Sequence, residues 1–304
     1  MSAVPPGEAV VAFAPAKINL YLHVLGRRPD GYHRLDSLVA FADIGDEVVA
    51  APGAALSLAL DGPEAAALAG LGEDNLVLRA ARGLAAAHGV APAAQLRLDK
   101  RLPIASGIGG GSSDAAAALR ALAALWRVPL DAAAMRLAGA LGADVPACLD
   151  GRPAWIGGIG ERIAPLPELP ALGIVLVNPR RELATASVFR TREGAFTARE
   201  VPRADRLDTA GLLALLRGCR NDLTESATRL LPEIAAVLDR LEKLPRLELA
   251  RMSGSGATCF GLFARRSAAD EAAARLAAEN PHWWVRAGAL LSGPAPLRLS
   301  CAAR

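Results

Sequence analysis

The chain has 304 residues, 52% of them hydrophobic and 67 of them alanine, enough for about two domains and for a core that needs no disulfide or metal staple. Its 34 basic and 31 acidic side chains leave a net charge of only +3, which excludes nucleic-acid binding by net charge alone. No uninterrupted apolar run reaches the roughly 18 residues of a membrane span. The N-terminus lacks a basic segment ahead of its short apolar run, so no leader is expected and the chain reads as cytoplasmic. Cys148, Cys219, Cys259 and Cys301 are scattered, form no CxxC pair and read as reduced.

Residues 9–14 and 17–25 predict two short strands punctuated by Pro15, and 35–41, 47–51 and 55–60 continue the pattern. Leu76, Leu78, Ala81 and Leu84 recur at near-helical spacing over 75–88, with Gly89 as the stop. Leu96 and Leu98 alternate with Arg97 and Asp99 as in a half-buried strand. A glycine-rich loop at 107–111 then runs into the alanine-rich segment 113–126, a strong helix former, and a further helix is expected over 130–141. The Pro/Gly-rich passage 151–170 marks the expected boundary between an N-terminal unit, 1–160, and a C-terminal unit, 161–304. Beyond it the pattern predicts a strand at 173–177, helices at 208–217 and 223–242, and strands at 247–252 and 257–264 around the tetrad SGSG. A helix at 267–278 and a strand at 283–287 complete the series. Irregular alternation with hairpins and crossovers predicts an α+β fold.

Three segments carry chemistry. In PIASGIGGGSSDAAAA, residues 103–118, four glycines within five positions precede a helix start. Such a loop turns its N–H groups toward a ligand and meets the positive end of the helix dipole, which suits phosphates. No lysine follows the glycines, so it is not a Walker A loop, and Ser112 breaks the GxGxxG spacing. The plain alternative is a mobile loop with Ser113 as helix N-cap. In the second segment, 14–33, Lys17 and Asn19 lie two apart in a strand and share a face. The turn Pro29-Asp30-Gly31 then presents Tyr32 and His33, an aromatic face beside an imidazole that suits a flat heterocycle, unless the two are only a packed pair at a turn. The third segment, RMSGSGATCF at 251–260, is either a simple hairpin loop or a place where a phosphate approaches the backbone. Asp144, in LGADVP, taken alone is an ordinary turn residue. Arginine outnumbers lysine 31 to three, which singles out Lys17, Lys100 and Lys243.

Together these segments resemble the three motifs of the GHMP small-molecule kinases. The likeness runs over residues 10–290 and includes LGADVP and TASVFR (185–190). The resemblance implies a two-domain fold, with a ribosomal-protein-S5-like N-terminal half and a ferredoxin-like C-terminal half. It implies Mg²⁺-dependent transfer of the γ-phosphoryl of ATP to an alcohol. By the same resemblance Asp144 matches the catalytic base and Lys17 the cation beside it, favouring the charged carboxylate and orienting the hydroxyl. Pro103, Ile104, Ala105, Ser106, Gly107, Ile108, Gly109, Gly110, Gly111, Ser112, Ser113 and Asp114 match the ATP phosphate cradle, with the hydroxyl of Ser112 or Ser113 a plausible Mg²⁺ ligand. Asn19 and Thr185 match substrate-positioning residues. Tyr32 and Phe189 match aromatics that sandwich a cytosine, and His33 matches a reader of its edge. The PDGYH extension thus points to a cytidyl-diphosphate acceptor, whereas an aliphatic alcohol such as homoserine or mevalonate would leave the aromatics nothing to stack on. A catalytically silent nucleotide-binding regulator would need no proton acceptor. Nucleic acid and membrane are not expected partners, and a monomer or weak homodimer is expected.

Overall fold

A computed structural model describes residues 8–301 apart from positions 167, 199, 202, 205 and 206. The reading of the N-terminus as leaderless falls on residues 1–7 and lies outside them. No helix of the described residues is long and apolar enough to cross a membrane.

The first half is built on a long antiparallel hairpin, β1 (Glu8–Arg27) against β2 (His33–Ala51). Each is one continuous strand where the sequence predicts two. Pro15 does not end β1 because the register shifts between Pro15 and Lys17, and such a bulge accommodates a residue with no N–H. β3 (Ser57–Asp61) and β4 (Gln95–Asp99) extend the sheet beyond β2. Between them runs α1 (Leu76–His88), capped by Asn75, whose side chain accepts from the Val77 amide, and closed by Gly89.

α2 (Gly110–Trp126) begins three residues ahead of the expected start, because Gly109 takes a left-handed conformation (φ 63°) and serves as the cap instead of Ser113. Ala115, Ala116, Ala117, Ala118 and Ala121 are all buried, and their small side chains let the helix lie close against β1 and β2. α3 (Ala132–Leu141) is capped by Asp131. The six-residue α4 (Val145–Asp150) follows Asp144 and is not anticipated by the sequence reading; Pro146 fits its first turn. The Pro/Gly-rich passage holds a second unanticipated element, the hairpin β5 (Ala154–Gly158) and β6 (Arg162–Pro165), which pairs with β2.

The second half forms a four-stranded antiparallel sheet. Its strands are β7 (Gly173–Asn178), β8 (Leu247–Met252), β9 (Cys259–Phe263) and β10 (Trp284–Ala289), in the order β10-β7-β9-β8. Its helices are α5 (Thr185–Arg190), α6 (Thr209–Arg217), α7 (Thr224–Leu230), α8 (Glu233–Glu242) and α9 (Arg266–Glu279). The single helix expected over 223–242 is broken into α7 and α8 at Pro232. The last strand, β11 (Arg298–Cys301), returns to pair with β1. A division drawn at residue 160 falls in the turn between β5 and β6, and β11, beyond it, pairs with β1 of the first sheet.

One apolar cluster fills the space between the first sheet and α1–α4, and another packs α7–α9 on the second sheet. A third joins the halves. Ile18, Leu20, Leu38 and Ala40 of the long hairpin meet Ile174, Leu176, Phe260, Leu262 and Trp284 of the second sheet. Each fully buried Leu or Ile there contributes about 1.5–3 kcal/mol, so the two sheets are held in fixed relation along the cleft that their edges enclose.

Candidate active site

A cavity of about 990 Å³ lies where β1, β2, the glycine loop, the turn into α4, α5 and the SGSG loop converge. Of the residues that the resemblance assigns to the site, all but two line it; Lys243, marked only by the scarcity of lysine, lies elsewhere and pairs with Asp239. The exceptions are Ile108 and Ser113. Ile108 is buried in the joining cluster, and only its carbonyl is used, accepting from the Lys17 amide at 2.9 Å. Ser113 is buried and donates its hydroxyl to the Pro15 carbonyl at 2.7 Å, so it anchors α2 to the β1 bulge and does not face the cavity. Of the two hydroxyls expected as metal ligands, Ser112 alone is in place.

At the centre, Lys17 Nζ lies 2.7 Å from Asp144 Oδ1. The lysine side chain is 6% exposed and the aspartate 47%: the bulge in β1 sends Lys17 up from the floor, while the turn into α4 leaves one face of Asp144 open to a ligand. Beside them Asn19 donates its Nδ2 to Ser37 Oγ at 2.8 Å, and its backbone amide donates to Ser253 Oγ at 3.1 Å. The side-chain oxygen of Asn19 is thereby turned toward the cavity as an acceptor.

The glycine loop is held from both sides. Ser253 Oγ donates to the Gly107 carbonyl at 3.0 Å, and the Thr258 amide to the Ser106 carbonyl at 3.0 Å. A Cβ on Gly107 would lie 2.6 Å from the carbonyl oxygens of both Ser253 and Gly256, so only glycine permits this approach. The SGSG tetrad is thus neither a free hairpin nor merely a phosphate contact: it is the buttress of the 103–109 loop. Ala105 takes a positive φ of 47° without being glycine, a strain of about 1–2 kcal/mol held by these contacts. Because the Ser113 amide bonds to the Gly109 carbonyl, the amides of 110–112 are the free donors of the first turn. They face the cavity with the positive end of a 17-residue helix behind them.

Beneath the loop, Lys100 is fully buried and donates to Asp46 Oδ2 at 2.5 Å and to Asp114 Oδ2 at 2.7 Å. Burial disfavours its ammonium, but the two carboxylates outweigh that and raise its pKa. Burial pushes the carboxyl of Asp114 up, Lys100 opposing, and Asp114 Oδ1 has no hydrogen-bond partner. Lys100 was marked in the sequence by the scarcity of lysine, with nothing to say that it supports the loop. Ser37 also lines the cavity and carried no sequence signal, while Ser255, which lines it too, was marked only as part of the SGSG tetrad.

At the far end His33 stacks on Phe189, with centroids 5.1 Å apart and planes at 28°. Burial, then the charges of Arg27 and Arg192, lower the His33 pKa, so the imidazole is neutral near pH 7. Tyr32 is 62% exposed and makes no ring contact among the described residues, so the expected Tyr32–Phe189 pair is not closed. Thr185 Oγ1 shares a hydrogen bond of 2.8 Å with Ser255 Oγ, tying α5 to the SGSG loop. The three cysteines whose side chains are described, Cys148, Cys219 and Cys259, are buried and free, as expected; the side chain of Cys301 lies outside the described residues.

The comparisons with known proteins match this arrangement. Residues 75–152 match the GHMP kinases N terminal domain family and residues 204–282 the GHMP kinases C terminal family. A 4-diphosphocytidyl-2-C-methyl-D-erythritol kinase of Rhodospirillum rubrum is 49% identical over 292 residues, covering 96% of each chain. The chain belongs to the GHMP kinase family. A second relative of the same description, from Cereibacter sphaeroides, is 53% identical over 278 residues, covering 90% of this chain and 96% of that one. A crystal structure of 4-(cytidine 5'-diphospho)-2C-methyl-D-erythritol kinase superimposes with a TM-score of 0.78 at 38% identity, covering 93% of this chain and all of that one. This GHMP kinase therefore has the N- and C-terminal domains of its family, the expected α+β fold, and ATP as its phosphoryl donor.

Proposed function

We propose that this kinase transfers the γ-phosphoryl of ATP to the 2-hydroxyl of 4-diphosphocytidyl-2-C-methyl-D-erythritol, in the non-mevalonate route to isoprenoid precursors. The observation that carries the reading is the Lys17–Asp144 pair at 2.7 Å, set in one cavity between a buttressed glycine loop and the His33–Phe189 stack. The amides of the first α2 turn cradle the nucleotide's phosphates, His33 and Phe189 take the cytosine with Tyr32 closing over it, and Asn19 and Thr185 orient the acceptor. The acceptor hydroxyl attacks the γ-phosphorus, its proton passes to Asp144, and the bond to the β-phosphate oxygen breaks to release ADP. Lys17 holds Asp144 in place across the 2.7 Å ion pair.

Mg²⁺, brought with the nucleotide, would supply neutralisation of the phosphate charge. The described residues contain no group of three His, Cys, Asp or Glu able to cage a metal, while the Ser112 hydroxyl and the unpartnered Oδ1 of Asp114 supply oxygen donors at the loop. The N-terminal unit extends through β6 and takes back β11, and the second sheet with α5–α9 is the C-terminal unit. The enzyme works in the cytoplasm as a monomer or weak homodimer.

The test is ADP release with Mg·ATP and a panel of the cytidyl compound, homoserine and mevalonate. Turnover of the cytidyl compound alone is expected, and turnover of an aliphatic alcohol instead would discard the cytosine site. Asp144→Asn should fold, keep its ATP affinity by calorimetry and lose at least about 100-fold in kcat. Near-normal kcat would remove Asp144 from the proton path.

A further inference from the structure

The charged side chains around the cavity do not balance. Its two carboxylates are each paired with a lysine, Asp144 with Lys17 and Asp114 with Lys100. That leaves Arg27, the last residue of β1, and Arg190, the last residue of α5, as the uncompensated charges of the lining. Both are exposed and neither has an ion-pair partner among the described residues. Arg27 donates its Nε to the Gly31 carbonyl at 3.3 Å, and Arg190 one Nη2 hydrogen to Ser187 Oγ at 3.2 Å. The remaining guanidinium donors are unassigned. Of the neighbouring arginines, Arg28 is neutralised by Asp30, Arg220 by Asp222, and Arg229 by Glu225 and Glu193, while Arg192, outside the lining, donates to the carbonyls of Gly194 and Ala195. The two free arginines sit at the cytosine end, since Arg190 directly follows Phe189 and the charge of Arg27 reaches His33.

We infer that Arg27 and Arg190 form a clamp for the diphosphate of the acceptor, selecting a nucleoside diphosphate over a bare nucleoside or an uncharged alcohol. The inference rests on the cytidyl reading above. An acceptor with its base at His33 and its hydroxyl at Asp144 must place two phosphates between them. Lys17 is engaged by Asp144, and the α2 amides are held for the nucleotide, so these arginines are the cavity's remaining means of neutralising that charge. A guanidinium fork matches phosphate oxygens in bidentate geometry.

Titration calorimetry with CDP, CMP and cytidine tests this, in saturating ADP so that the phosphate loop is filled. The wild-type chain should bind CDP more tightly than cytidine. Arg27→Met and Arg190→Met should each lower CDP affinity roughly 10-fold or more, with cytidine unchanged. Arg190→Lys should recover part of the loss. Raising the salt should weaken CDP but not cytidine. Equal losses for CDP and cytidine, or full CDP affinity in the double variant, would overturn the clamp. So would equal wild-type affinities for the two, which leaves the cytidyl reading standing; wild-type chain that bound neither would take that reading down as well.

Discussion

At the scale of single residues, the site depends on protonation and on space. His33 is neutral because burial, Arg27 and Arg192 lower its pKa below the usual 6.5. Acidification through that lowered value charges the ring and removes its acceptor nitrogen. The KM for the cytidyl acceptor should therefore stay flat from pH 8 to about 6.5 and rise only below it, while the KM for ATP stays level. His33→Gln should abolish the inflection, and an unchanged profile in that variant would assign it to another group. Gly107 tests space. Adding one methyl puts a carbon 2.6 Å from two backbone oxygens, at a φ of 74° that penalises any side chain. Gly107→Ala should cost about 2–4 kcal/mol in urea denaturation, and it should weaken ATP at least 10-fold because the buttressed loop is displaced. A variant of unchanged stability and ATP affinity would show that the two loops separate freely.

At the scale of elements, α2 is positioned by charge as well as by its alanines. Asp46 on β2 accepts from Lys100 and from the amides of Arg101 and Leu102, while Asp114 on α2 holds the same ammonium. Lys100→Met would leave two buried carboxylates facing each other, at a cost of about 3–5 kcal/mol. Because burial already raises the Asp114 pKa above that of an unfolded carboxyl, acid favours the folded variant: its deficit should be smaller at pH 5 than at pH 8. Chemical denaturation at both pH values measures this, and a larger deficit at pH 5 would refute it. Helices with their own caps, such as α1 between Asn75 and Gly89, were legible in the sequence to within a residue. α4, the β5–β6 hairpin and β11 were not. They are short, their composition is that of turns, and they exist because β1 and β2 offer edges and faces to cover.

At the scale of the whole molecule, Arg251 ties the halves together. From β8 its buried guanidinium donates to the carbonyls of Leu20 on β1, of Leu216 in the last turn of α6 and of Cys219 just beyond it. Burial lowers its pKa to about 10, so it remains charged at neutral pH. Arg251→Met takes the guanidinium from three buried carbonyls, of which Leu216 keeps the Cys219 amide as a donor, and should cost about 2–4 kcal/mol. The measurement is urea denaturation read separately from Trp155 in the first sheet and Trp284 in the second; a loss under 1 kcal/mol would mean that water replaces the guanidinium.

Only the resemblance to the family gave Asp144 and Lys17 their expected roles as acid and cation. The sequence by itself determined the mixed fold and the glycine loop ahead of α2, and it marked a scarce lysine and an aromatic–imidazole pair as candidate groups. These are local facts, carried by propensity, by glycine and by residue type. Tertiary structure decided the rest. It turned Ser113 inward to Pro15, made SGSG the support of a loop more than 140 residues away, and put Lys100 beneath that loop. It also left Arg27 and Arg190 without an ion-pair partner among the described residues of the cavity. Spacing along the chain cannot state which carboxylate reaches which cation; the closure of two sheets on one apolar layer fixes that.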